Sequence, residues 1–159
     1  MLHIDIVCVG KIKEKYLQDA ILEYTKRVSK YCILKIIELP DLKIPNNCSI
    51  SECNNIKSLE GNNIISHLKK QSYIFCLDLK GKQYSSEEFS KKIEDITSFN
   101  SHITFIIGGS LGVSDDVLSN SKELICFSKM TFPHQLIRVF LIEQIYRAFK
   151  IMNNEAYHK

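Results

Sequence analysis

The residues best suited to chemistry gather near the C-terminal end, in the stretch FSKMTFPHQLIRVFLIEQIYRAFK at positions 127–150. His134 and Arg138 stand four residues apart, so on a helix they share one side. An imidazole that titrates near neutrality beside a guanidinium suits proton transfer or phosphate binding. Arg138 lies among apolar neighbours, and a guanidinium there demands an acidic partner, backbone carbonyls or a phosphate. A structural ion pair and a phosphate contact are equal readings at this point. Glu143, Arg147 and Lys150 fall on one narrow face, while apolar residues from Ile137 to Met152 take nearly every other direction. That pattern predicts a helix over 133–152 buried nearly all round, and a chain this small rarely wraps its own helix so completely, which points to a second subunit. Pro133 suits the first helical position, and Thr131 is a candidate N-cap. Upstream, ITFIIGGSLG runs a buried strand into Gly108, Gly109 and Gly112. It lacks the lysine of a P-loop and the spacing of a dinucleotide fingerprint, so a phosphate cradle and a tight turn both stay open. The chain ends in Tyr157, His158 and Lys159, which offer a ring for stacking, a proton acceptor and a positive charge, or simply a frayed tail.

These groups need a scaffold, and the hydropathy pattern supplies one. Strands are predicted over 2–9, 32–39, 73–79, 103–107 and 123–127, with helical spacing over 13–31, from 56 to 68, 86–99 and 114–119 before the last helix. Residues 41–55 read as a loop, and Gly81 as a turn. Strand and helix alternate throughout, which predicts an α/β fold with a mostly parallel sheet covered by helices on both faces. The 159 residues form a single domain, 1–159, by length. No apolar run is long enough to span a bilayer and the first residues lack a basic leader, so the expectation is a cytoplasmic chain with no membrane. The six cysteines are scattered without C-x-x-C pairs, so they read as reduced thiols and no metal is expected. A net charge of +3 permits a nucleic-acid partner without demanding one.

The combination is more specific than its parts. The glycine run 108–112, FSKMTFPHQLIRV, EQIYRA and the ending AYHK, with VGKIKEKY near the start and LDLKGK at 77–82, resembles the RlmH family of ribosomal large-subunit methyltransferases over essentially the whole chain. The resemblance implies a SPOUT-type, S-adenosyl-L-methionine-dependent enzyme with a C-terminal trefoil knot, working as a homodimer. It implies that Leu77 borders the cofactor pocket, that Gly108 belongs to the glycine loop, and that Phe127, Ser128, Lys129, Met130, Thr131 and Phe132 wrap the adenosine. An adenine ring is flat and apolar with a polar edge, so backbone amides flanked by these side chains suit it. The implied substrate is a pseudouridine, conventionally numbered 1915, in the helix 69 loop of 23S rRNA within the assembled ribosome, methylated at N3. His134, Arg138, Tyr157 and His158 are then the catalytic candidates, and Arg147 and Lys159 the RNA contacts. The rival readings are a SPOUT tRNA methyltransferase and a noncatalytic ribosome-binding factor. The absence of an added RNA-binding domain counts against the first, because so small an enzyme must rely on the shape of a preassembled substrate.

Overall fold

Period-two alternation decides which side of the sheet each strand residue serves. The computed structural model describes residues 1–157. Its elements are β1 (Leu2–Val9), α1 (Lys15–Val28), β2 (Cys32–Leu39), α2 (Ile50–Ser66), β3 (Tyr73–Lys82), α3 (Ser86–Thr97), β4 (His102–Ile107), α4 (Asp115–Asn120), β5 (Glu123–Ile125) and α5 (His134–Met152). The five strands make one sheet in the order β2-β1-β4-β3-β5. Every neighbouring pair is parallel. The α/β class and the helices on both faces are therefore as the alternation predicts.

On one face Ile4, Ile6 and Cys8 of β1 meet Phe75, Ile103, Phe105 and Ile107, and α1, α3 and α5 cover them with Val28, Phe89, Ile93, Leu141 and Ile145. On the other face Val7 and Val9 join Ile74, Cys76 and Ile106 under Ile64 of α2 and Val117 of α4. The rings of Phe75 and Phe105 stack at 5.0 Å in the first of these layers. Both β1 and β4 are buried on both faces, and β4 accordingly reads as a nearly continuous apolar run, while β1 alternates through His3 and Asp5 before its apolar residues cluster at Ile6–Val9.

Four boundaries differ from the sequence-based expectation, each for a local reason. Helix α2 starts at Ile50, inside the stretch expected to be loop, because Ser49 and Glu52 form a reciprocal capping box. Strand β3 does not turn at Gly81 but continues to Lys82, after a register irregularity between Leu77 and Lys82. Strand β5 stops at Ile125, which leaves Phe127 in the following loop. Pro133 sits just before α5 rather than inside its first turn, with ψ of 133°, and neither it nor Thr131 caps the helix with a side chain. Within α5, Phe140 alone is exposed among the described residues, while Arg138, Leu141, Ile142, Ile145, Ala148 and Phe149 are fully buried. Among the described residues no helix is long and apolar enough to cross a membrane.

Candidate cofactor cleft

Ligands of open α/β sheets collect beyond the carboxyl ends of the strands, and there β3, β4 and β5 border a cleft of about 460 Å³. Three backbone devices shape it. The first is the irregularity in β3, which turns Leu77, Asp78, Leu79 and Lys80 into one wall. Asp78 steadies that wall by accepting a hydrogen bond from the Lys80 amide at 2.8 Å. Gly81 then lets β3 press against β5: a Cβ at this position would stand 2.5 Å from the carbonyl carbon of Ile125. Pairing resumes immediately, with the Cys126 amide donating to the Lys82 carbonyl at 2.9 Å.

The second device is the glycine loop after β4. A Cβ on Gly108 would lie 2.7 Å from Cγ1 of Val113, so only glycine lets the chain leave the strand at this angle. Gly112 adopts φ of +81°, a conformation that costs a side chain but not glycine. Its amide donates to the Gly109 carbonyl at 3.0 Å, closing a tight turn. The tight-turn reading of the glycines is the one realised, and the backbone of that turn lines the cleft. The third device is the segment that leaves β5. Ser128 accepts a hydrogen bond from the Met130 amide at 3.0 Å, and the Cys126 thiol donates to the Ser128 carbonyl at 2.9 Å.

Of the residues assigned to the cofactor, Leu77, Gly108, Phe127, Ser128, Met130, Thr131 and Phe132 all line this one cleft. Lys129 is exposed and is not among its lining residues. His134 lines it from the first turn of α5, with Ile137 one turn further along. Burial, and then the charge of Arg138, lower the His134 pKa below the ordinary imidazole value, against the opposing pull of Asp41. The ring is therefore held neutral at physiological pH, able to accept a proton.

Arg138 has a different place. Only 1% of it is exposed. Nη1 donates to Glu38 at 3.0 Å, and Nη2 donates to the carbonyls of Val9 and Gly10, both at 2.8 Å. Among the described residues its Nε finds no partner. Of the two readings open for Arg138, the ion pair with backbone carbonyls is the one realised. A direct catalytic contact is corrected accordingly: the guanidinium is used up inside the protein, where it fixes the end of β1 and biases His134 toward neutrality.

Glu60 escapes notice in the sequence. It is buried on α2, behind the glycine loop, where a Cβ on Gly109 would come within 3.6 Å of its carboxylate. It accepts a hydrogen bond from the Leu42 amide at 3.2 Å. Burial raises its pKa, with Asp41 adding to the rise.

The remaining candidates form a separate group at the far end of α5. Arg147 donates to Glu143 through Nε at 3.0 Å and Nη2 at 2.6 Å. Tyr157 donates to the same carboxylate at 3.1 Å, and its ring lies 4.6 Å from the Arg147 guanidinium carbon. Burial and then the Glu143 hydrogen bond push the Tyr157 phenol up to about 12. Neither Arg147 nor Tyr157 lines the cleft of its own chain. His158 and Lys159 lie outside the described residues. Among the described residues no group of three or more His, Cys, Asp or Glu side chains could hold a metal ion.

A parallel sheet with a glycine-edged cleft beyond three adjacent strand ends is the frame of a ligand-binding α/β protein. The class is narrower than that: a family model described as "Predicted SPOUT methyltransferase" matches residues 2–158. A solved structure titled as a probable methylase family protein from Haemophilus influenzae Rd KW20 superposes with a TM-score of 0.57. It is 11% identical and covers 98% of this chain and 70% of that one, a likeness of fold alone. Curated proteins named ribosomal RNA large subunit methyltransferase H are far more similar in sequence. The one from Clostridium acetobutylicum is 56% identical over 159 residues, covering 99% of this chain and 100% of its own. The one from Clostridium botulinum strain 657 is 57% identical with the same coverage. The chain belongs to the SPOUT methyltransferases and, among them, to the ribosomal RNA large subunit methyltransferase H family.

Proposed function

We propose that the chain methylates N3 of the pseudouridine conventionally numbered 1915, in the helix 69 loop of 23S rRNA on the assembled ribosome, using S-adenosyl-L-methionine and no metal. The setting is the cytoplasm and the working form a homodimer, with the segment 127–132 as part of a trefoil knot. The observation that carries the reading is the convergence of seven of the eight cofactor-assigned residues on one cleft, in a chain whose relatives bear an rRNA methyltransferase name. The cleft suits an adenosine: Leu77, Met130 and Phe132 offer apolar faces, and the glycine loop offers backbone groups where side chains would intrude.

When bound there, the cofactor supplies an electrophilic methyl group on a sulfonium. This chain's residues do the rest. The target nitrogen must lose its proton and approach in line, so that its electron pair forms the new N–C bond as the C–S pair returns to sulfur. His134 would take that proton, a reading supported by its position in the cleft lining and by the burial that lowers its pKa. Arg147 and Tyr157 serve a second cleft. From His134 to Arg147 is 13 residues of helix, about 20 Å, so one chain does not bring both ends of α5 to one methyl group. Two chains can, if α5 packs across a two-fold axis and each tail, with His158 and Lys159, reaches the neighbour's cleft.

The deciding experiment is mass spectrometry of 23S rRNA from a strain lacking this chain, with methyl transfer in vitro to ribosomes from that strain. The expected result is loss of one methyl group at the pseudouridine and its restoration by the purified protein. An unmodified pattern of rRNA in both strains sinks the assignment.

A further inference from the structure

The stretch VGKIKEKY between β1 and α1 takes no part in the cleft chemistry above, yet it is fixed at unusual density. The Gly10 amide donates to the Leu39 carbonyl at 2.7 Å. The carbonyls of Val9 and Gly10 both accept from the buried Arg138, at 2.8 Å each. The Ile12 amide donates to Glu38 at 2.9 Å, and the Ile12 carbonyl accepts from the Gln18 side chain at 2.8 Å. The Ile12 side chain itself is buried. A connection that only had to join a strand to a helix would need none of this, since such loops ordinarily lie loose on the surface.

What the fixing presents is two lysines. Lys11 and Lys13 flank the buried Ile12 and are both exposed. Ile12 is turned into the core between them, so both lysines stand on the solvent side of the segment. Among the described residues neither has a hydrogen bond, ion pair or ring contact, whereas the next lysine, Lys15, is paired with Asp19. The segment also abuts the site. A Cβ on Gly10 would stand 3.5 Å from Nε2 of His134. Of the nearby carboxylates, Glu38 is engaged by Arg138 and Ile12, Asp41 stands beside Gly10 and His134, and Glu14 follows Lys13 directly at the start of α1, so the segment keeps a net positive charge of one from its two lysines and Glu14.

We propose that Lys11 and Lys13 form a phosphate grip, which holds the backbone of the RNA strand flanking the target nucleotide against the mouth of the cleft. The inference rests on the rRNA reading above and adds to it a contact surface. Two like charges separated by one residue complement the phosphates of an extended strand, and a prefixed backbone leaves only the lysine side chains to be ordered on binding. Arg138 and Glu38 then have a purpose beyond stability, because they are the positioning residues of this grip.

The experiment compares wild type with the Lys11→Gln/Lys13→Gln double variant on ribosomes from a strain lacking the chain. Binding is measured across a salt series, alongside methyl transfer, S-adenosyl-L-methionine affinity and thermal midpoint. Losing two phosphate contacts on a single strand should lower the slope of log K against log salt by about 1.4. KM for ribosomes should rise with kcat, cofactor affinity and midpoint unchanged, and Lys11→Arg/Lys13→Arg should recover the wild-type slope. A double variant with the wild-type slope overturns the grip while leaving the methyltransferase reading intact. A slope lost together with cofactor affinity overturns it too, as a general collapse of the site. If wild type neither binds nor methylates these ribosomes, the underlying reading fails and the grip with it.

Discussion

Arg138 shows how a single residue can be read correctly in type and wrongly in role. Its burial among apolar neighbours makes partners obligatory, but the sequence does not say that Glu38, a hundred residues earlier, is one of them. Arg138→Ala should cost about 3 kcal/mol in urea unfolding, the lower end of the range for breaking a buried pair, because the Glu38 left behind stays partly solvated. A loss under about 1 kcal/mol would contradict the structural role given to it here. Glu60 provides the pH test. Its folded pKa lies above its unfolded one, so ionisation costs stability that is absent below the unfolded value of about 4.3 and grows as pH rises through the folded value. Glu60→Gln keeps an acceptor for the Leu42 amide and removes the buried charge. The variant should therefore melt at or above the wild-type temperature at pH 7.5, with any difference vanishing toward pH 4.5. A wild type clearly more stable than the variant at pH 7.5 would mean that the carboxylate has a charged partner unaccounted for. Residue types alone pointed to His134, which lines the cleft; Lys129, chosen by its place in a motif, is exposed and does not line it.

At the scale of elements, helix starts were legible where capping chemistry is local. Ser85 and Glu88 close a capping box at α3, and Ser114 caps α4. The same signature at Ser49 and Glu52 marks α2 and was hidden by the polar, proline-bearing run around it. Gly81 is the opposite case, because a glycine followed by lysine reads as a turn and nothing nearby says that Ile125 presses against it. Gly81→Ala would drive a methyl into backbone. It should separate β3 from β5, cost at least about 2 kcal/mol as an overpacking lesion, and weaken S-adenosyl-L-methionine binding by widening the wall at Leu77. Calorimetry and thermal melting check the two effects together. Wild-type values for both would mean that β3 and β5 do not approach as described.

For the whole molecule the question is how α5 serves two places at once. Its start lies at the cleft and its far end carries Arg147, against which Tyr157 of the following segment packs, so the proposed dimer makes each site from two chains. Gly108→Val disables a cleft by pushing on Val113 and the glycine turn, and removal of residues 157–159 disables a tail. Each variant alone should lose methyl transfer by at least about a hundredfold, the scale of a positioned acid-base group. Mixed heterodimers should regain activity, since the tailless chain's intact cleft meets the other chain's intact tail. If heterodimers form and stay inactive, the site is not shared.

The sequence by itself determined the alternation of strands and helices, the burial of β4, the glycine loop and the helix that carries His134. These follow from hydropathy period, capping and backbone freedom, all set by residues within a few positions of one another. Tertiary structure alone decided the strand order, the partnership of Arg138 with Glu38, the carboxylate of Glu60 behind Gly109 and the meeting of Gly81 with Ile125. Those depend on which distant surfaces arrive at a contact, and no local propensity carries that information. A buried charge or a missing Cβ states in the sequence that something must lie against it; only the packed chain supplies what.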